Sequence, residues 1–198
     1  ECDIDAKNRM KLFLITLVAL SVSSVMGALD SSNCRVIQGA ANFAFSDFIQ
    51  GQYRYEAGTQ SSDVKNYYSS YLATTQVGDI WYTIFTSNIK DGTQQNIDYV
   101  IVDQSGAQIH EVMLIDGQQS DKEYILTVYG HEPGKYTQFY VCGEKTPAGD
   151  DVRYTLSYGS YKLTPADWKK IAQNDKYQQF TGSLVKIGTG AKVADNDE

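Results

Sequence analysis

The chain is short of the residues that most often carry chemistry or association. Its 17 lysines and arginines face 24 aspartates and glutamates, a net charge of −7. A nucleic-acid binder needs a basic surface that displaces counterions, and an anionic membrane surface asks for the same, so neither nucleic acid nor membrane is an expected partner. Only two histidines, His110 and His131, could serve as general bases near neutral pH. No His-Glu-x-x-His, Gly-x-Ser-x-Gly, Walker-type or EF-hand pattern occurs, so no catalytic residue, metal or enzymatic activity is expected. The carboxylates stand mostly singly in turns, at Asp63, Asp79, Asp91, Asp103, Asp116 and Asp121, and the pair Asp150-Asp151 reads as a solvated turn. No Asn-x-Ser/Thr sequon is present. The apolar run Leu12–Leu20 is about half the roughly 20 residues that a membrane helix needs.

That run has another reading. Met10-Lys11, the run itself, and Val25 and Gly27 at the −3 and −1 positions make a basic segment, an apolar segment and a small-residue cleavage site. A signal peptide is therefore expected over 10–27, with residues 1–9 as upstream or cloning-derived sequence and an extracellular chain beginning near Ala28. Cys2 goes with that upstream segment. The two remaining cysteines, Cys34 and Cys142, suggest one disulfide in a secreted chain, with two buried free thiols as the alternative.

What the chain does have is aromatic residues, 12% of the total, of which 15 are tyrosines. Strands hold such residues well. Alternation and turn signals predict eight strands, at 48–59, 67–76, 79–88, 96–103, 107–115, 122–130, 135–143 and 152–162. The links between them are of hairpin length, which predicts antiparallel up-and-down order. Eight such strands close most simply into an all-β barrel, which leaves no sheet edge and is wide enough for one small ligand. Thr164-Pro165-Ala166-Asp167 is an N-cap, a proline at the first helical position and an acid in the first turn, predicting a helix over 165–176. Phe180 to Ile187 reads as a short last strand and 188–198 as a flexible acidic tail.

Asn42-Phe43, a short turn and then Gly51-Gln52-Tyr53 resemble the first signature of the lipocalins, with Tyr53 where that family has Trp. Thr127-Val128-Tyr129 matches part of the second signature without its Asp. Tyr140-Val141-Cys142 is similar to the seventh strand of invertebrate lipocalins, whose cysteine pairs with one near the N-terminus. Where the third signature has Arg, this chain has Leu156-Ser157-Tyr158. The resemblance spans about 34–187 and implies a lipocalin-type barrel domain over 28–187, with a C-terminal helix. It also suggests that Tyr53 and Tyr158 close one end, with Phe43 and Gly51 beside them. Haem is not expected, because the fourth strand has no histidine; His110 on the fifth is the internal candidate. No cofactor is expected.

Period-2 alternation predicts the inward face. Tyr53, Tyr55 and Ala57 are expected to share it, as are Trp81, Thr83 and Phe85, or Tyr124, Leu126 and Val128. The expected ligand-lining set is Tyr55, Tyr71, Phe85, Leu126 and Tyr140. Aromatic walls with hydroxyls suit a small hydrophobic or amphipathic ligand. The expected function is a secreted carrier that transports or sequesters such a molecule. The alternative is a filled barrel whose loops bind a protein partner such as a protease.

Overall fold

A computed structural model describes residues 34–49, 51–60, 62–145 and 151–193. The expected leader and the end of the tail, 194–198, lie outside the described residues. The elements run α1 (Phe45–Ile49), β1 (Gln52–Thr59), α2 (Ser62–Asn66), β2 (Tyr67–Val77), β3 (Ile80–Ile89), β4 (Gln94–Ser105), β5 (Gln108–Ile115) and β6 (Gln118–Glu132). Then follow β7 (Tyr136–Lys145), β8 (Asp151–Tyr158), α3 (Pro165–Tyr177) and β9 (Leu184–Lys186).

Each strand from β2 to β7 pairs antiparallel with the next, and β1 pairs with both β8 and β2, closing the barrel. The turns follow from local chemistry. Asp116 and Gly117 both adopt positive φ, 52° and 76°, the tight two-residue hairpin that Asp-Gly favours. β1 begins at Gln52 rather than 48, because Phe48 and Ile49 belong to α1.

The β1–β2 seam is short. It pairs only over Gln52–Arg54 with Tyr71–Ala73. Beyond that, β9 takes the free edge of β1 at Ala57–Thr59. Ile187 N donates to Glu56 O (3.0 Å) and Gly188 N to Tyr67 O (3.2 Å), so the segment after α3 stitches β1 to β2. Residues 188–193 turn back on β9, where Val193 is buried.

α3 starts on a capping box: Thr164 N donates to the Asp167 carboxylate (2.8 Å) and Asp167 N to Thr164 Oγ1 (3.2 Å). The helix packs on the outside of the barrel. Ile171 buries with Ala57, Tyr136 and Leu184, and the buried Gln138 donates to Ile171 O (3.2 Å). Arg153, 1% exposed at its side chain, pairs through Nε with Asp175 at 2.8 Å. Tyr129 OH donates to the same carboxylate at 2.8 Å. Cys34 and Cys142 form a disulfide, their Cα atoms 5.5 Å apart, which pins the N-terminal segment to β7.

Candidate functional site

Two faces of the barrel wall are buried, one around the interior and one under α3. The interior cluster gathers Tyr55, Leu72, Ile109, Leu126, Val128, Phe139 and Leu156. It leaves a cavity of about 80 Å³. Tyr55 is its hub, with ring centroids 5.1 Å from Phe85 and 5.3 Å from Tyr154, both edge-on. Tyr99 and Tyr124 pair edge-on across the other wall at 5.8 Å. Such edge-to-face pairs add to the stability that ring burial already provides.

One ionisable acid lines this cavity. Glu111 of β5 is 4% exposed, and its carboxylate accepts a hydrogen bond from Thr83 of β3. Burial pushes its carboxyl up from 4.5 to about 7, against the Thr83 bond, which lowers it. Folding thus favours the protonated form. That stabilisation is complete below about pH 4.5 and is lost as pH rises through about 7. Glu111→Gln should therefore be more stable than the wild type by about 3 kcal/mol at pH 8 and equal to it near pH 4. Urea unfolding at the two pH values checks this; equal stability at pH 8 would show that Glu111 is not an ionised, buried cost.

Three of the five residues expected to line the interior meet there: Tyr55, Phe85 and Leu126. Tyr71 does not. A bulge between Tyr67 and Ser69 shifts the phase of β2, so Ser70 and Leu72 are buried and Tyr71 is 45% exposed. Tyr67, on the other side of the bulge, lines the cavity in its place. Tyr140 also lies elsewhere. It buries with Ile37, Tyr129 and Cys142 on the outer face, 6.0 Å from the Phe180 ring. Phe139 and Val141 are the inward residues of β7. Ala57 faces α3 because β1 bulges between Tyr55 and Ala57. His110, the internal candidate for haem, pairs at 3.2 Å with Glu123 across the strand pair, and its neighbour Glu111 is the residue that lines the cavity.

At the end where β1 begins, Tyr53 and Tyr158 pack edge-on at 5.6 Å, and Tyr53 OH donates to Asp47 O (2.7 Å). A Cβ on Gly51 would lie 2.3 Å from the Tyr158 ring, so only glycine fits there. Phe43 is half-buried, its ring edge-on to His131 at 5.4 Å. Phe48, which the sequence reading placed in a strand, is the buried plug, stacked on Tyr53 at 5.8 Å. At the opposite end Val64 of α2 is 2% exposed, close to Gly58 and Tyr154 on the inner face. Two larger depressions lie outside the interior, about 180 Å³ beside His131 and Lys135 and about 380 Å³ along α3.

No protein-family model matches the sequence, and no curated protein matches it. Solved structures do match in shape. The tryptamine complex of the amine-binding protein of Rhodnius prolixus is similar at a TM-score of 0.57 and 14% identity, over 81% of this chain and 85% of that one. The cockroach allergen Per a 4 is similar at 0.59 and 8% identity, over 80% and 92%. Insecticyanin from the tobacco hornworm Manduca sexta is similar at 0.54 and 10% identity, over 73% and 78%. These proteins are lipocalins. The likeness is one of architecture, and the chain has the lipocalin fold, a closed eight-stranded antiparallel barrel with a C-terminal helix packed on its outside.

Proposed function

We propose that this chain is a secreted, non-catalytic carrier that holds a small, largely apolar molecule inside its barrel. The observation that carries the reading is the interior cavity, ringed by tyrosines and phenylalanines and plugged at one end by Phe48, Tyr53 and Tyr158. A ligand would enter from the other end, beside α2. The tryptamine complex shows that a barrel of this architecture holds a small molecule. Secretion rests on the leader pattern at 10–27 and on the disulfide, which persists in oxidising compartments. N-terminal sequencing of the native protein should read from Ala28; a native chain that keeps Met10 would refute it.

Leu126→Trp tests the site. The indole would occupy the free space beside Tyr55 and Phe139, while an inward strand position tolerates an aromatic ring. Binding of an apolar fluorophore should weaken by roughly 100-fold, about 2.7 kcal/mol, with the fold retained by circular dichroism. Unchanged affinity would move the site out of the barrel. The smallness of the cavity, about 80 Å³, favours the second reading, a filled scaffold whose loops bind a protein partner such as a protease. An absence of any fluorophore binding to the wild type would select it.

A further inference from the structure

We propose that His131 is an acid-sensitive latch on the closed end of the barrel: its neutral ring packs the plug segment, residues 42–49, against β6, and protonation of that ring loosens the segment. The latch works whatever the barrel carries.

A few fixed points hold the plug. Asn42 Nδ2 donates to His131 O (3.0 Å), Tyr53 OH to Asp47 O (2.7 Å) and Thr74 Oγ1 to Ile49 O (2.9 Å). The His131 ring touches the same segment. Its side chain is 3% exposed, with the Phe43 ring edge-on at 5.4 Å and Nδ1 3.0 Å from Thr137 Oγ1 of β7. Nε2 is buried and makes no hydrogen bond among the described residues, although Asp47 Oδ2 of α1 lies 3.4 Å away. A neutral imidazole leaves one nitrogen unused; an imidazolium has a donor on both and carries a charge out of water.

The charged groups beside the ring set the direction of the switch. Asp47 of α1, Glu132 of β6 and Lys135 of the β6–β7 turn share with it the depression of about 180 Å³. Lys135 and Lys170 of α3 both pair with Glu132, at 3.9 and 3.3 Å. Tyr53, Tyr136 and Tyr158 complete the wall, and burial pushes the Tyr53 and Tyr136 phenols up, so both stay neutral. Burial pushes the His131 imidazole below its ordinary 6.5, outweighing the carboxylates of Asp47 and Glu132, which pull it up. The packed ring therefore binds its proton more weakly than a ring released into water. Its contribution to holding the plug is complete above pH 6.5 and is lost as pH falls below that value. The depression gives the charged ring a place to turn, towards water and two carboxylates and away from Phe43.

The experiment is amide hydrogen exchange of the full chain, its disulfide intact, read over residues 42–49 at pH 7.5 and pH 5.5 and corrected for intrinsic rates. Protection of the wild-type segment should fall by about threefold to tenfold at pH 5.5. His131→Gln, neutral at both values, should abolish the fall, and His110→Gln should keep it. The readout is local because the buried Glu111, raised to about 7, moves global stability the other way as pH drops. Nuclear magnetic resonance of the ring protons should show His131 titrating below 6.5, and lower still in Asp47→Asn, which removes a carboxylate that raises it. Asp47→Asn should accordingly deepen the fall in protection. Equal protection of the wild type at the two pH values, a fall that survives in His131→Gln, or a His131 titration at or above 6.5 overturns the proposal. Should His131→Gln fail to fold, Asp47→Asn carries the test, and a fall no deeper than in the wild type overturns it.

Discussion

Replacing Cys34 and Cys142 together by serine should lower the stability of the barrel by about 4–5 kcal/mol. The bridge closes a loop across a sequence separation of 108 residues. On the chain-entropy model, a crosslink over that span removes about 4.7 kcal/mol of freedom from the unfolded chain. The folded side adds to this. The disulfide anchors a segment in which Arg35 pairs with Asp151 at 2.8 Å and lies over the Phe180 ring at 4.9 Å, while Ile37 buries beside Tyr140. Without the bridge, those contacts alone have to hold the segment against β7. Urea unfolding of the double variant, compared with the disulfide-bonded wild type, measures the effect. A loss under about 1 kcal/mol would mean that the unfolded chain is already compact enough for the crosslink to add little.

Arg153→Leu should cost about 3 kcal/mol, because it leaves the Asp175 carboxylate, only 15% exposed, without its charged partner. Arg153 joins three parts of the chain. Its Nε donates to Asp175 of α3, Nη2 to Gly182 O at 2.7 Å and Nη1 to Thr181 O at 3.2 Å, and its guanidinium lies 4.7 Å from the Phe180 ring. The leucine variant keeps the apolar bulk and loses all of these. Asp175 then retains only Tyr129 and Gln138 as neutral donors. Adding Asp175→Leu should recover part of the loss, since removing both members of a buried pair costs less than removing one. A double-mutant cycle in urea measures the coupling. If the double variant is less stable than Arg153→Leu by the full cost of Asp175→Leu alone, the two residues act independently and the clasp is not a unit.

Much of the barrel was legible in short-range patterns. The eight strands, their antiparallel order and the helix after Thr164-Pro165 rest on alternation, turn residues and a capping box, all of which act over a few residues. The direction of β3 and β6 was legible for the same reason: Phe85 and Leu126 lie on unbroken period-2 runs that face the cavity. Glu111 was readable too, since alternation sends it opposite to His110; a lone acid flanked at i−2 and i+2 by Ile109 and Met113 marks a polar group on an apolar face.

The sequence by itself determined the strand count, the hairpin order, the capped helix and the composition of an aromatic-rich interior, because each depends on neighbours in the chain. Only the tertiary structure decided the inward residues of β2 and β7 and of the second half of β1. Bulges in β1 and β2 reverse the alternation after Tyr55 and Tyr67, and so carry Ala57 and Tyr71 to the outside. The N-terminal segment and Phe180 cover the outer face of β7 at Tyr140, so Tyr140 looks as core-like as Phe139 inside. A period of two says that neighbours point apart; it does not say which side is the interior when both sides are covered. Cover from the N-terminal segment, and from α3 through Ile171 and the Arg153–Asp175 pair, is what buries the second side.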